Sequence, residues 1–191
     1  MDFSQRFIGL TTIAAVAMSA ALFGGCVLFR PHVDDLTFVS LEPSRQARTT
    51  NRTMFDLHFT TSRDLLALDT YGAYVGASLC PFTRQPNVSF STVRYHGRDL
   101  TDYRISGRQA LTPSGNGPFE YDAVLYYEHQ SQFNPERHTD DRFDLPANPQ
   151  DLCFAAEGPS YLGSGGFDSN VAVIPKDALA RALVSLKNAP R

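Results

Sequence analysis

Three stretches of this 191-residue chain hold residue types that do chemistry. The richest is 129–144, which contains His129, Glu136, His138, Asp140, Asp141 and Asp144. Imidazoles with carboxylates hold zinc, and carboxylates alone hold calcium. A metal-assisted hydrolase built here would use His129, His138 and Asp140. No His-x-x-x-His spacing occurs, and the calcium-loop glycine is missing, so a solvated polar loop is expected and no metal is assigned. The second stretch, Gly76-Ala77-Ser78-Leu79-Cys80, fits Gly-x-Ser-x with Cys in place of the last Gly. A nucleophile elbow needs a helix directly after the serine. Pro81 prevents one, and a small-residue strand beside a cystine is the expectation. The third, Gly163-Ser164-Gly165-Gly166, lacks the lysine of a phosphate loop and reads as a flexible loop. His58 and His96 fall on outward strand faces, where a surface histidine is the default.

The N-terminal segment says where such a domain would work. Arg6 and the amine precede a run from Phe7 to Phe29 without charge, and Gly24 and Gly25 stand before Cys26. These are the parts of an export signal. Leu22-Phe23-Gly24-Gly25-Cys26 resembles the lipobox of bacterial lipoproteins, whose usual form is Leu, a small residue, Gly or Ala, then Cys. Phe23 stands where that family most often has Leu. The resemblance implies cleavage before Cys26, a diacylglyceryl thioether on its sulfur and an acyl chain such as palmitate on its amine. Val27, in place of Asp, resembles the pattern that sorts lipoproteins to the outer membrane, facing the periplasm. Several acyl chains anchor stably where one is marginal. The competing readings are an uncleaved transmembrane helix, since about 20 apolar residues span a bilayer, and plain secretion. Residues 1–25 are thus expected to be signal peptide, 26–35 a lipidated tether and 36–191 one domain.

Charge narrows the partners. The chain carries a net charge of −3, and its lysines are confined to Lys176 and Lys187. No polybasic tract favours nucleic acid or an anionic membrane surface. The expected partners are the membrane, through the lipid, and a protein of the envelope. With Cys26 acylated, Cys80 and Cys153 remain, and an even remainder in an oxidising compartment reads as a disulfide; two separate buried thiols are the alternative. Their spacing is far from any CxxC pattern, which argues against thiol catalysis or zinc.

The elements that position these residues are mostly strands. Phe55, Leu57 and Phe59 alternate with Asp56, His58 and Thr60, and Phe119, Tyr121, Ala123, Leu125 and Tyr127 do the same. A period of two marks half-buried strands. Further strands are expected at 36–41, at 73–82 with Cys80 opposite Leu79, at 103–105, 152–156 and 171–174, and at 88–96 with a bulge near Ser91-Thr92. Asn116-Gly117, within Pro113–Pro118, suits a reversal that needs positive φ. Pro175-Lys176-Asp177 opens a helix with Leu179, Ala182, Leu183 and Leu186 on one stripe. Stretches 130–142 and 158–170 read as long loops. The class is all-β and mainly antiparallel, a sandwich of immunoglobulin-like or transthyretin-like architecture with a short C-terminal helix.

The functional expectation is a non-catalytic binding module, an accessory subunit of an envelope assembly. The stretches 129–144 and 158–170 are its contact surface, with Tyr127, Arg137, Tyr161 and Phe167 as binding candidates. A periplasmic immunity or inhibitor lipoprotein that binds a toxin is the first alternative, and the metal-assisted hydrolase the second.

Overall fold

The two alternating segments become the paired centre of the fold. In the computed structural model, which describes residues 30–44, 52–68, 71–83, 88–101, 111–128, 145–159 and 166–188, ten strands and two helices are present among the described residues. The strands are β1 (His32–Val33), β2 (Thr37–Pro43), β3 (Arg52–Thr61), β4 (Tyr74–Leu79), β5 (Ser89–Tyr95), β6 (Arg98–Asp99), β7 (Phe119–Glu128), β8 (Leu152–Gly158), β9 (Phe167–Ser169) and β10 (Ala172–Ile174). The helices are α1 (Leu65–Leu68) and α2 (Lys176–Asn188). β3 and β7 pair antiparallel over their whole length, from Arg52↔Glu128 to Thr61↔Phe119. That register sets Phe55 opposite Leu125, Leu57 opposite Ala123 and Phe59 opposite Tyr121, all buried. Each large apolar side chain so buried contributes about 1.5–3 kcal/mol.

All strands join one hydrogen-bonded path, β1-β9-β8-β4-β5-β7-β3-β2, with β10 also on β8 and β6 also on β5. Every pair is antiparallel except β1 with β9. The sheet curls on itself. Phe59 on β3 and Phe154 on β8 are separated by three strands of the path, yet their ring centroids lie 5.9 Å apart. β5 is where the path bends. Its Ser89–Thr92 half pairs with β4, and Val93 and Arg94 pair with β7. The far edge, β2, packs against β10 and α2. The mainly antiparallel β class and the C-terminal helix therefore hold; the immunoglobulin-like or transthyretin-like type is not established by this single curled sheet.

Helix α2 starts where the sequence placed it. Asp151 Oδ1 accepts the Lys176 N–H at 2.7 Å, and the Pro175 carbonyl accepts the amides of Ala178 and Leu179. Asp177 in the first turn and Lys187 in the last suit the helix dipole. Ala178, Leu179, Ala182 and Leu183 are buried. The single-turn α1 is capped by Asp64, whose Oδ1 accepts the amides of Leu66 and Ala67. The Tyr121 hydroxyl accepts the Leu65 N–H at 3.0 Å and donates to the Arg63 carbonyl at 3.3 Å. Burial pushes that phenol's pKa up, against the Leu65 amide, which pulls it down.

Four expectations are corrected. The 26–35 tether ends sooner than expected, because His32 and Val33 pair with Asp168 and Ser169 and Val33 is fully buried. Phe90 points outward, 42% exposed, while Ser89, Val93 and Tyr95 point inward; one parity runs through β5 and no bulge is needed. The 158–170 loop contains β9, which continues as β10 along the free edge of β8. In the Pro113–Pro118 turn the positive φ falls on Gly115, at 68°, and not on Asn116 or Gly117.

Candidate functional site

Among the described residues, the outer face of the sheet holds a cleft of about 370 Å³. Cross-strand register explains it. Gly76 on β4 stands directly opposite Phe90 on β5 and directly opposite Ala155 on β8. Side chains opposite each other on adjacent strands share a face. A sheet face is normally filled by its side chains, but here Gly76 and Ala155 leave a floor without them. Phe90 forms one wall, stacked on Tyr74 with centroids 5.4 Å apart and planes at 7°. Phe82 and Val171 add apolar lining. The Tyr126 hydroxyl donates to the Phe90 carbonyl at 2.9 Å and ties this wall to β7.

The opposite rim is charged and built from three strands. Glu157 on β8 faces Asp168 on β9, and Asp168 faces His32 on β1. His32 Nδ1 lies 2.7 Å from Asp168 Oδ1. Their side chains are 55% and 41% exposed, so this pair adds little stability but orients the carboxylate. Arg30 lies beyond them. One nitrogen, Nη2, donates to the carbonyls of Gly158 and Phe167, both at 2.8 Å. The guanidinium is thus pinned to the β8–β9 pair. Among the described residues its Nε and Nη1 have no protein partner, and Arg30 forms no ion pair with Glu157 or Asp168. A guanidinium and two carboxylates, with no ion pair between them among the described residues, therefore line one partly apolar trough.

A second polar cluster lies on the outer face of β3, β7 and β5. His58 Nδ1 and Asp122 Oδ1 are 2.6 Å apart on directly paired positions. Arg94 Nη2 donates to Asp56 Oδ1 at 3.2 Å, and Ser44 Oγ donates to the same oxygen at 3.1 Å. Asp99 on β6 accepts from Thr92 Oγ1 at 2.6 Å, Thr101 Oγ1 at 2.7 Å and the Thr101 amide at 2.9 Å. Partial burial raises the Asp99 pKa, but these hydrogen bonds and the nearby Arg94 charge outweigh it and hold it below the usual carboxylate value. These contacts join four strands, which fits a lattice that fixes register.

The sequence candidates separate cleanly. Cys80 and Cys153 form the disulfide, with Cα atoms 5.1 Å apart. Ser78 is fully buried, pairs with Cys153 and accepts the Thr83 N–H at 3.1 Å through its Oγ; it supports the turn after β4. That turn contains the cis Cys80–Pro81 peptide. Phe167, expected on the contact surface, is instead fully buried in the core, because β9 pairs with β8 and turns it inward. Tyr127 pairs with Thr53 through its backbone, and its side chain lies outside the described set. Cys26, His129, Arg137, His138, Asp140 and Tyr161 also lie outside the described residues, as does the 163–165 glycine run. Among the described residues no three His, Cys, Asp or Glu side chains gather as a metal site, and no helix is long and apolar enough to cross a membrane.

Sequence reasoning missed the cleft. Gly76 was visible as part of a small-residue strand, but Ala155 and Phe90 join it only through register. Arg30, His32 and Asp168 were assigned to a tether and a loop.

No protein-family model matches the chain, and no curated protein matches it.

Proposed function

We propose that the protein is a bacterial envelope lipoprotein, anchored through acylated Cys26, whose β domain is a binding module and an accessory subunit of an envelope assembly. The observation that supports this best is the Cys80–Cys153 disulfide. It pairs both thiols of the domain, as proteins of an oxidising compartment do. It leaves Cys26, behind an apolar leader, as the one cysteine for a lipid. Contact with a protein is assigned to the stretch 129–144 and to the part of 158–170 that precedes β9. A photo-crosslinking residue at Arg137 or Tyr161, irradiated in intact envelopes, tests this reading. One recurrent crosslinked protein is expected from at least one site. Uncrosslinked monomer from both sites would remove the assembly role.

A further inference from the structure

We infer that the outer-face cleft is a binding site for a small zwitterion, a free amino acid or dipeptide carrying an apolar side chain. This goes beyond the anchoring and assembly reading and does not depend on it. Three observations carry the inference.

The first is the shape. Two small residues in register, Gly76 and Ala155, open a trough of about 370 Å³ on a face that side chains would otherwise fill. That volume falls at the small end of the range for small-molecule sites. Phe90, stacked on Tyr74 and 42% exposed, is held ready as an apolar wall. An exposed aromatic beside an empty floor gains by covering an apolar group.

The second is a set of opposite charges on one rim that no ion pair joins among the described residues. Arg30 is pinned by two carbonyls through a single nitrogen, which leaves the rest of a planar guanidinium to meet a carboxylate. Glu157 and Asp168 stand side by side on paired strands. They offer acceptors to an ammonium group. Arg30 is not joined to either acid by an ion pair among the described residues. The rim carries the Arg30 guanidinium and the carboxylates of Glu157 and Asp168, with His32 beside Asp168. A simple anion meets two carboxylates there, and a simple cation meets Arg30. A molecule bearing both charges satisfies both ends.

The third is preorganisation. His32 holds Asp168, and the β8–β9 backbone holds Arg30. Groups already fixed lose little conformational freedom on binding. The α-ammonium of the ligand donates to Glu157 and Asp168, its carboxylate accepts from Arg30, and its side chain lies over Gly76 and Ala155 against Phe90.

The test is calorimetric titration of the full-length chain in detergent with L-phenylalanine and L-leucyl-L-phenylalanine. N-acetyl-L-phenylalanine and L-phenylalaninamide, each lacking one charge, are the controls. Saturable binding of at least one zwitterion is expected. Affinity should fall at least about tenfold when either end is blocked, since each blocked end loses a hydrogen bond to a charged group. Ala155→Phe, which fills the floor, should abolish binding. Glu157→Gln, on an exposed side chain that folding does not need, should weaken it about tenfold. Blocked compounds binding as tightly as the zwitterions would overturn the inference. So would the absence of saturable heat with both zwitterions at millimolar concentration, or wild-type affinity in a folded Ala155→Phe variant. Crosslinking in envelopes with no zwitterion binding would remove this inference and leave the assembly reading standing.

Discussion

Breaking the Cys80–Cys153 bridge should lower stability by roughly 4 kcal/mol, mainly through the unfolded chain. The cysteines are 73 positions apart, and closing a loop of that length removes about 15 cal/mol/K from the unfolded ensemble, or roughly 4 kcal/mol at 25 °C. The folded state barely needs the bond to keep the two residues adjacent. β4 and β8 pair from Tyr74↔Glu157 to Leu79↔Leu152, and Ser78 stands opposite Cys153. The Cys80 amide also donates to the Asp151 carbonyl at 3.4 Å. Reduction should therefore leave the fold in place, lower the urea midpoint and steepen the transition, because a longer free chain exposes more surface. Cys80→Ala removes an exposed side chain and isolates the bridge. Cys153→Ala adds a small packing loss, since Cys153 is 5% exposed. The double variant should cost about what either single variant costs, because each removes the same bond. Urea denaturation of the four proteins, with and without reductant, reads this directly. Additive losses, or a wild-type midpoint that reductant leaves unchanged, would refute the reasoning.

Two other predictions follow from single side chains. Tyr121→Phe leaves the buried Leu65 amide without its acceptor and should cost about 1–3 kcal/mol; a denaturation midpoint equal to wild type would mean that the amide finds another partner. Acid should weaken the fold through Asp35 and Asp99. For both, burial raises the pKa, but hydrogen bonds outweigh it and leave the folded value below 3.8, from Ser62 and Thr61 at Asp35 and from Thr92 and Thr101 at Asp99. A lowered folded pKa means that stability is fully present above the unfolded value and is lost as pH falls through the folded one. Stability measured from pH 6 down should thus decline below about pH 4, and the decline should be shallower in Asp35→Asn and Asp99→Asn.

How much of this was legible depends on how local each signal is. The alternation at Phe55, Leu57 and Phe59, and again at Phe119 to Leu125, needs no partner to be read, and those strands stand as expected. The helix after Pro175 and its buried stripe are equally local. Elements two or three residues long are not. His32–Val33 and Phe167–Ser169 form strands only because each completes the other and β8. Neither has enough residues to show a period. The bulge expected at Ser91-Thr92 is absent because Phe90 stacks on Tyr74 on the outer face and leaves one parity through β5. The cleft is the least local feature of all. Its floor is a coincidence of register between residues 76, 90 and 155, and no spacing along the chain encodes that.

The proposed anchored, oxidised envelope domain is tested most directly by the intact mass of the protein extracted from bacterial envelopes. The expected mass begins at Cys26 with added acyl chains, and the two remaining thiols alkylate only after reduction. A mass that begins at Met1 without lipid, or thiols that alkylate before reduction, would contradict it.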